Sequence, residues 1–321
     1  MLFDNSKLPK LAIVIPCYNE ESVIYETAHR LGAILTDLIE KGEVDHTSFI
    51  CFVDDGSEDR TWEFIETLNE RDIVFKGLKL SRNFGHQSAL LAGLITLKDR
   101  IDCIVSIDAD LQDDVEAIYK FIQKYKEGYD IVYGVRKDRS VDTFMKKWTA
   151  LLFYKLQKIM GVSIVNNHAD YRLMSSRVVN NLCNFEEVNL YLRGIIPLVG
   201  FKSAEVHYDR GERLAGESKY PFKKMLSFAL DGITSFSVTP LRFVTFTGFL
   251  IFALSLLIAL YYTAGALFLK NTIPGWTSTV LPIYFIGGIQ IFCIGLIGEY
   301  IGKIYKEVKS RPRFIIDKEI S

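Results

Sequence analysis

Two long stretches without a charged side chain constrain the fold of this chain more than any other feature. The first is Phe243–Leu269 and the second is Asn271–Gly298. Each exceeds the roughly 20 residues that a helix needs to cross a bilayer, and Pro274 and Gly275 between them suit a tight hairpin. We therefore predict two transmembrane helices over 241–300, with a pair of buried helices in a soluble protein as the alternative.

The charges around these stretches predict an orientation. The segment 301–321 is basic, whereas the connection between the stretches has Lys270 as its one basic residue. Because Lys and Arg favour the cytoplasmic side, we expect an integral membrane protein whose residues 1–221 and basic tail are both cytoplasmic.

Apolar residues recur at helical spacing in Phe222–Phe236, beside Lys223 and Lys224. This pattern predicts an amphipathic helix over 222–240 that lies in the membrane interface. A surface helix facing a protein core is the alternative.

The composition excludes several classes of protein. A net charge of −1 lacks the basic excess of nucleic-acid-binding proteins, so we expect no nucleic-acid partner. The five cysteines never form a C-x-x-C pair, which argues against a disulfide framework or a structural zinc site. No G-x-G-x-x-G follows the first predicted strand, which argues against a dinucleotide-dependent oxidoreductase.

Residues 1–221 are predicted to form one catalytic domain of the α/β class. Short β-branched runs predict strands at Leu11–Ile15, Phe49–Val53, Val74–Leu80, Cys103–Ile107 and Ile131–Tyr133. Amphipathic stretches predict helices at Glu21–Ile39, Asp59–Leu68, His86–Leu97 and Val115–Tyr125. A further helix is expected at Phe144–Met160, with strands at Ala169–Met174 and Ser203–Tyr208. This alternation predicts a mostly parallel, Rossmann-like sheet, in which ligands bind beyond the carboxyl ends of the strands.

Polar motifs follow four of the predicted strands. They are Pro16–Glu20, Asp54–Ser57, Ser81–His86 and Asp108–Gln112. Asp108 and Asp110 are two residues apart in extended chain, so both carboxylates project to one side, and such ligands suit Mg²⁺ or Mn²⁺. A surface turn or a helix cap is the alternative for this pair.

The other motifs suit a nucleotide. Asp54 and Asp55 end a buried strand, where a base or a ribose hydroxyl would bind them, although either could cap the next helix. Gly85 would let the backbone approach a ligand closely, and it is equally typical of a simple turn. His86 suits contact with a nucleotide or the start of a helix.

In this order and spacing, Pro16–Glu20, Asp54–Ser57 and Asp108–Gln112 resemble the motifs of inverting glycosyltransferases with the GT-A fold. The whole chain more narrowly resembles polyprenyl-phosphate glycosyltransferases, such as dolichol-phosphate mannose synthases and bactoprenol glucosyltransferases. This resemblance implies inverting, metal-dependent transfer of a hexose from a nucleotide sugar to an undecaprenyl-type polyprenyl phosphate at the cytoplasmic membrane face. It favours UDP-glucose over GDP-mannose as the donor.

The resemblance also assigns residues. It places Pro16, Tyr18, Glu20 and Asp54 at the nucleotide, and Asp108, Asp110 and Gln112 at Mg²⁺ or Mn²⁺. With the motifs above, the residues expected to bind the donor are Pro16, Tyr18, Glu20, Asp54, Asp55, Gly85, His86 and Asp108.

The acceptor side is predicted from the second half of the domain. His168–Arg172 lies where the family has a D/G-F-R-like segment, which implies Asp170 near the attacking oxygen. Because a lipid phosphate is already ionised at neutral pH, Asp170 is expected either as a base or as a group that orients the acceptor. A structural pair with Arg172 or another cation is the alternative.

Arg210–Tyr220 resembles the R-x-x-G-x-S-K loop of the family. Its Arg213, Ser218 and Lys219 offer charge and hydrogen bonds to phosphate oxygens, and the alternative is a basic segment that rests on anionic lipid. The other cations expected near the acceptor phosphate are Arg136 and Lys147. The residues expected to be catalytic are Asp170, Asp110 and Arg213.

Two other hypotheses belong to different classes of protein. A processive polysaccharide synthase would commonly have a Q-x-x-R-W motif, which this sequence lacks. A non-catalytic, nucleotide-binding membrane scaffold would bind a nucleotide sugar without turnover. The oligomeric state, including a homo-oligomer, is left open.

Overall fold

The computed structural model describes residues 7–136, 168–185, 187, 192–209, 241, 244, 246–248, 250, 251, 257 and 276–321. These residues fall into two compact units, one made of those up to 209 together with 311–321, and the other of those from 241 to 310. The predicted helix Phe144–Met160, the predicted interfacial helix and most of the first predicted span lie outside the described residues.

The order of strands and helices agrees with the α/β prediction. In chain order they are β1 (Leu11–Cys17), α1 (Ile24–Glu40), β2 (Phe49–Asp54), α2 (Thr61–Arg71), β3 (Phe75–Leu80), α3 (His86–Leu97), β4 (Cys103–Ser106), α4 (Ala117–Lys126), β5 (Ile131–Arg136), β6 (His168–Ser175), α5 (Ser176–Leu182), α6 (Leu192–Leu198), β7 (Ser203–Tyr208), α7 (Trp276–Val308) and β8 (Ile316–Ile320). All the strands and helices predicted for the first 135 residues are present, with ends that differ by a few residues.

The central strands are buried on both faces. Every residue of β1, β2 and β4 is buried, as expected for parallel strands that helices cover from both sides. The packing of α3 on these strands depends on Gly93, where a Cβ atom would lie 2.6 Å from Cγ1 of Val14. A larger side chain at Gly93 would push α3 away from β1.

Eight strands form one sheet in the order β7-β5-β6-β4-β1-β2-β3-β8. β1 pairs in parallel with β2 and β4, β2 pairs in parallel with β3, and β5 pairs in parallel with β7. β6 is antiparallel to β4 and β5, and Arg172 of β6 lies opposite Ser106 of β4. Because β6 begins where β4 ends, Asp170 lies at the same edge of the sheet as Asp108.

The segment 301–321, predicted as a basic tail, has a different organisation. Up to Val308 it continues α7, and β8 then pairs antiparallel with β3 at the edge of the sheet. Ile320 packs against the hydrophobic core, and the backbone N–H of Ser81 donates to the carbonyl oxygen of Ile315 at 3.0 Å. The C-terminal strand is therefore part of the first unit.

The second unit is described chiefly through α7, which has 33 residues. Many of its isoleucines are exposed, among them Ile283, Ile291, Ile294 and Ile304. Within the described residues, no helix combines the length and the apolar character needed to cross a membrane.

We predict that β8 stabilises the fold through one of its two isoleucines. Ile320→Ala should lower the free energy of unfolding by about 1–2 kcal/mol, because Ile320 packs against the core while remaining partly exposed. Ile316, in the same strand, is 41% exposed, so Ile316→Ala should change stability by less than about 0.5 kcal/mol. Urea unfolding of the two variants of the full chain tests this, and equal losses would contradict it.

Candidate active site

The turns after β1 and β2 are bonded to each other. The backbone N–H of Asn19 donates to Oγ of Ser57 at 3.0 Å, and that of Glu20 donates to Oγ1 of Thr61 at 2.8 Å. In return, Oδ1 of Asn19 accepts from the backbone N–H of Glu58 at 2.9 Å. These bonds hold the first two motifs side by side at the carboxyl edge of the sheet.

Pro16 and Tyr18 belong to the same region. Pro16 lies in β1 opposite Val53 of β2, and Tyr18, just beyond the strand, is 40% exposed. Pro16 therefore shapes the strand end, while Tyr18 presents an aromatic side chain to solvent at the edge where ligands bind.

Asp54 is buried at the end of β2. Its Oδ1 accepts from the backbone N–H of Ser57 at 3.2 Å, and its Oδ2 has no hydrogen-bond partner among the described residues. Burial raises the pKa of Asp54. A buried carboxylate oxygen that accepts no hydrogen bond is costly. A ligand with an N–H or O–H group that donates to Oδ2 would therefore stabilise the site.

Asp55 holds the third motif in place. Its two carboxylate oxygens accept from the backbone N–H groups of Phe84 and Gly85 at 2.7 and 2.8 Å, directly before α3. Burial raises the pKa of Asp55 despite these bonds. Gly85 has a φ of 96°, which favours glycine. Asp55 therefore positions the loop that leads to His86.

His86 lies between two acidic residues. Its Nε2 is 3.4 Å from Oδ1 of Asp108 and 3.9 Å from Oδ2 of Asp170. Burial raises the pKa of Asp108, and the charge of nearby Asp170 adds to this effect while His86 opposes it. The loop after β3, the end of β4 and the start of β6 thus meet at one place.

Two arginines share the carboxylate of Asp170. Nη2 of Arg172 donates to Oδ1, while Nε and Nη2 of Arg193 donate to Oδ1 and Oδ2 at 3.1 and 2.9 Å. Burial alone raises the pKa of Asp170, but the charges of Arg193 and Arg172 outweigh it and hold that pKa well below its usual range. Asp170 is therefore a carboxylate at every working pH.

The remaining metal candidates lie on the loop after β4. Oδ1 of Asp110 accepts from the backbone N–H of Gln112 at 3.2 Å, and Gln112 is buried. Oγ1 of Thr27 in α1 donates to the carbonyl oxygen of Ala109 at 2.8 Å, which fixes the loop between the two aspartates. In the described part of the chain, no three or more His, Cys, Asp or Glu side chains are grouped to hold a metal ion.

Arg136, expected near the acceptor phosphate, is paired with Asp113. Nε and Nη2 of Arg136 lie 2.9 and 2.8 Å from Oδ1 of Asp113, which also accepts from the hydroxyl of Tyr208 at 2.7 Å. No local sequence pattern predicts these contacts, because Arg136 and Tyr208 are 23 and 95 residues from Asp113 in the chain.

Other expected residues cannot be placed. Lys147, Arg213, Ser218 and Lys219, together with the Arg210–Tyr220 loop, lie outside the described residues. Sequence analysis missed Arg193, although it is the one charged residue in the otherwise apolar helix α6. An isolated charge in a buried segment is the signal that would have identified it.

The chain matches two family models. Residues 12–183 match Glycosyl transferase family 2, and residues 239–304 match the GtrB C-terminal hairpin. It is 53% identical over 315 residues to an uncharacterised glycosyltransferase of Bacillus subtilis (strain 168), covering 97% of this chain and 92% of that protein.

It is 40% identical over 313 residues to the SfII prophage-derived bactoprenol glucosyl transferase of Shigella flexneri, covering 96% of this chain and 98% of that protein. A crystal structure of glucosyl-3-phosphoglycerate synthase from Mycobacterium tuberculosis, in complex with Mn²⁺, UDP-glucose and phosphoglyceric acid, aligns with a TM-score of 0.46. That alignment has 15% sequence identity and covers 70% of this chain and 78% of the other.

We predict that Gly56 is required by contact as well as by conformation. Gly56 and Gly42 have φ of 67° and 65°, but a Cβ on Gly56 would lie 2.4 Å from the carbonyl carbon of Arg82, whereas Gly42 has nothing within 4 Å. Gly42→Ala should cost about 1–2 kcal/mol of stability for the backbone alone. Gly56→Ala should cost about 1–3 kcal/mol more. Urea unfolding compares them, and equal losses would show that the contact is unimportant.

We also predict that Asp170 stabilises the fold as the partner of Arg172. Asp170→Ala leaves the Arg172 guanidinium buried without its carboxylate, so the free energy of unfolding should fall by about 3–5 kcal/mol. The double variant Asp170→Ala/Arg172→Met removes both charges and should recover most of this loss. Chemical denaturation of both variants provides the test; a double variant no more stable than Asp170→Ala would be evidence against the pairing energy.

Proposed function

Because this chain belongs to glycosyl transferase family 2 and is a glycosyltransferase, we propose that it transfers a hexose from a nucleotide sugar to a polyprenyl phosphate. We further propose glucose from UDP-glucose as the sugar and an undecaprenyl-type phosphate as the acceptor. The similarity to a bactoprenol glucosyl transferase over nearly the whole chain supports this reaction. The observation that carries the proposal is the meeting of Asp108, His86 and Asp170 at the carboxyl edge of the sheet.

The nucleotide is assigned to the turns after β1 and β2. Asp54 has a buried oxygen that an N–H group of the base would satisfy, and Tyr18, the residue after the strand partner of Asp54, has an exposed side chain. The hydrogen bonds between the two turns hold both groups before a ligand arrives, which lowers the ordering cost of binding.

A divalent metal, Mg²⁺ or Mn²⁺, is assigned to Asp108 and Asp110, with Gln112 beside them. Mg²⁺ is commonly held by one or two carboxylates together with substrate phosphates, so the donor set of this loop fits such an ion. Burial also raises the pKa of Asp108, so a cation there would relieve an unfavourable charge. When bound, the metal neutralises the charge that grows on the departing diphosphate.

Transfer with inversion needs the acceptor oxygen to attack the anomeric carbon on the face opposite the departing diphosphate. A phosphate acceptor is already ionised, so no side chain has to remove a proton from it. Asp170 suits a different task, because its two arginines hold it as a carboxylate in a fixed direction. We assign it to orienting the acceptor side of the site.

Membrane attachment belongs to the same proposal. The match of residues 239–304 to the GtrB C-terminal hairpin and the two uncharged stretches support an anchor at the cytoplasmic face. A lipid phosphate presented at that surface would then meet a tethered catalytic unit, with the basic C-terminal segment on the same side.

The proposal is tested by transfer of radiolabelled sugar. Full-length protein is incubated with undecaprenyl phosphate and each of a panel of UDP- and GDP-sugars, with Mg²⁺, with Mn²⁺ or with chelator. We expect label to enter the organic phase from UDP-glucose only when metal is present. Label from GDP-mannose instead would change the donor, and the absence of label from every donor would overturn the proposal.

Asp110→Asn is the matched variant for this assay. Mutation of a residue that only supports a metal ligand typically costs 10- to about 100-fold in activity. Loss of a metal ligand itself should therefore lower the rate of transfer by at least about 100-fold. The midpoint of unfolding should not fall. Asp72→Asn, at the opposite edge of the sheet, is the control and should transfer as wild type does. Full activity of Asp110→Asn would remove this residue from the metal site.

A further inference from the structure

The cluster of Asp170, Arg172 and Arg193 has one negative and two positive charges. Both oxygens of the carboxylate accept from guanidinium groups, so the cluster has a net charge of plus one. This positive charge lies close to the carboxylate of Asp108, because His86 Nε2 is within 4 Å of both Asp108 and Asp170. The cluster is therefore a place where an anion can approach the acidic loop.

The two arginines differ in exposure. The side chain of Arg172 is fully buried, whereas that of Arg193 is 41% exposed. Arg172 thus pairs with Asp170 from within the protein, whereas the side chain of Arg193 is partly exposed to solvent.

Two other cationic side chains near this cluster lie beside acids. Arg136 is paired with Asp113, and His86 lies between Asp108 and Asp170. Of the two arginines that donate to Asp170, Arg193 is the one whose side chain is exposed to solvent.

The guanidinium of Arg193 is held in a fixed direction. Its Nε and Nη2 both donate to Asp170, so one edge of the planar group faces the carboxylate. The helix beneath it is anchored too, because Leu192 N–H donates to Oε1 of Gln87 at 3.1 Å and Ile195 and Ile196 are fully buried. A pre-oriented guanidinium is well suited to bind phosphate oxygens.

We propose that Arg193 binds a phosphate group of a substrate, with Asp170 holding its guanidinium in place and Arg172 supplying the counter-charge. The inference rests on the proposed function for the source of this phosphate, which is either the prenyl phosphate acceptor or the diphosphate of the nucleotide. In both cases Arg193 offsets the repulsion between the phosphate and the acidic loop.

The test is a binding measurement that needs no turnover. Farnesyl phosphate and UDP, each with Mg²⁺, are titrated calorimetrically into full-length wild type, Arg193→Gln and Arg177→Gln. Arg177 is the matched control because it is also a partly exposed arginine paired with a buried aspartate, Asp130, at 2.6 Å. Asp130 directly precedes β5, so this pair lies at the opposite edge of the sheet.

We expect Arg193→Gln to weaken the binding of one of the two probes by about 10- to 100-fold, as for a lost hydrogen bond to a charged group, and Arg177→Gln to weaken neither. Weaker farnesyl phosphate binding assigns Arg193 to the acceptor, and weaker UDP binding assigns it to the donor. Arg193→Lys keeps the charge and should bind the affected probe with an affinity between those of wild type and Arg193→Gln. Such a graded effect distinguishes the loss of a phosphate contact from a folding defect.

Wild-type affinity of Arg193→Gln for both probes, with a lower kcat alone, would overturn the inference and leave Arg193 as a residue that only positions Asp170.

The failure of this inference and the failure of the proposed function can be told apart. A wild-type chain that binds the probes through Arg193 but transfers no sugar would contradict the proposed function and support this inference.

Discussion

The pairing of Asp170 with Arg172 and Arg193 joins strand β6 to helix α6. Asp170 and Arg172 come from β6, and Arg193 comes from α6. A fully buried guanidinium is tolerated only when a carboxylate compensates it, so the antiparallel insertion of β6 beside β4 depends on this interaction. The same insertion brings a carboxylate of fixed charge to the end of β4, next to the acidic loop. The constraint that stabilises the sheet therefore also sets the electrostatics of the site.

The rest of the site is electrostatically unfavourable in the absence of ligand. Burial raises the pKa of Asp54, Asp55 and Asp108, which means that their ionised forms are less stable here than in water. Groups perturbed in this way are concentrated at functional sites, because a bound partner restores the lost solvation. Under the proposed function, these partners would be a nucleotide for Asp54 and a divalent cation for Asp108.

Much of the fold and part of the site could be predicted from the sequence. The β-branched runs and the polar residues that follow them are local signals, and strands of a parallel sheet end at one edge, so the approach of Asp108 to His86 follows from pattern and topology. The pairing of Arg136 with Asp113 and the hydrogen bonds from Arg193 to Asp170 depend on the register of β5 and β6 and on the packing of α6. These are contacts over long sequence separations, for which no local pattern exists. The five residues of β8 lack the alternation of a strand, and their pairing with β3 is likewise set by tertiary structure.

The position of β8 has a consequence for how the protein is made. The chain leaves the ribosome from its N-terminus, so β3 is synthesised more than two hundred residues before its edge partner, Ile316–Ile320. Until β8 has been synthesised, the β3 edge of the sheet stays open, with its backbone groups unpaired and able to pair with another chain. The nascent catalytic unit therefore needs protection throughout the synthesis of α7, and its sheet is completed only when β8, which follows that helix, has also been made.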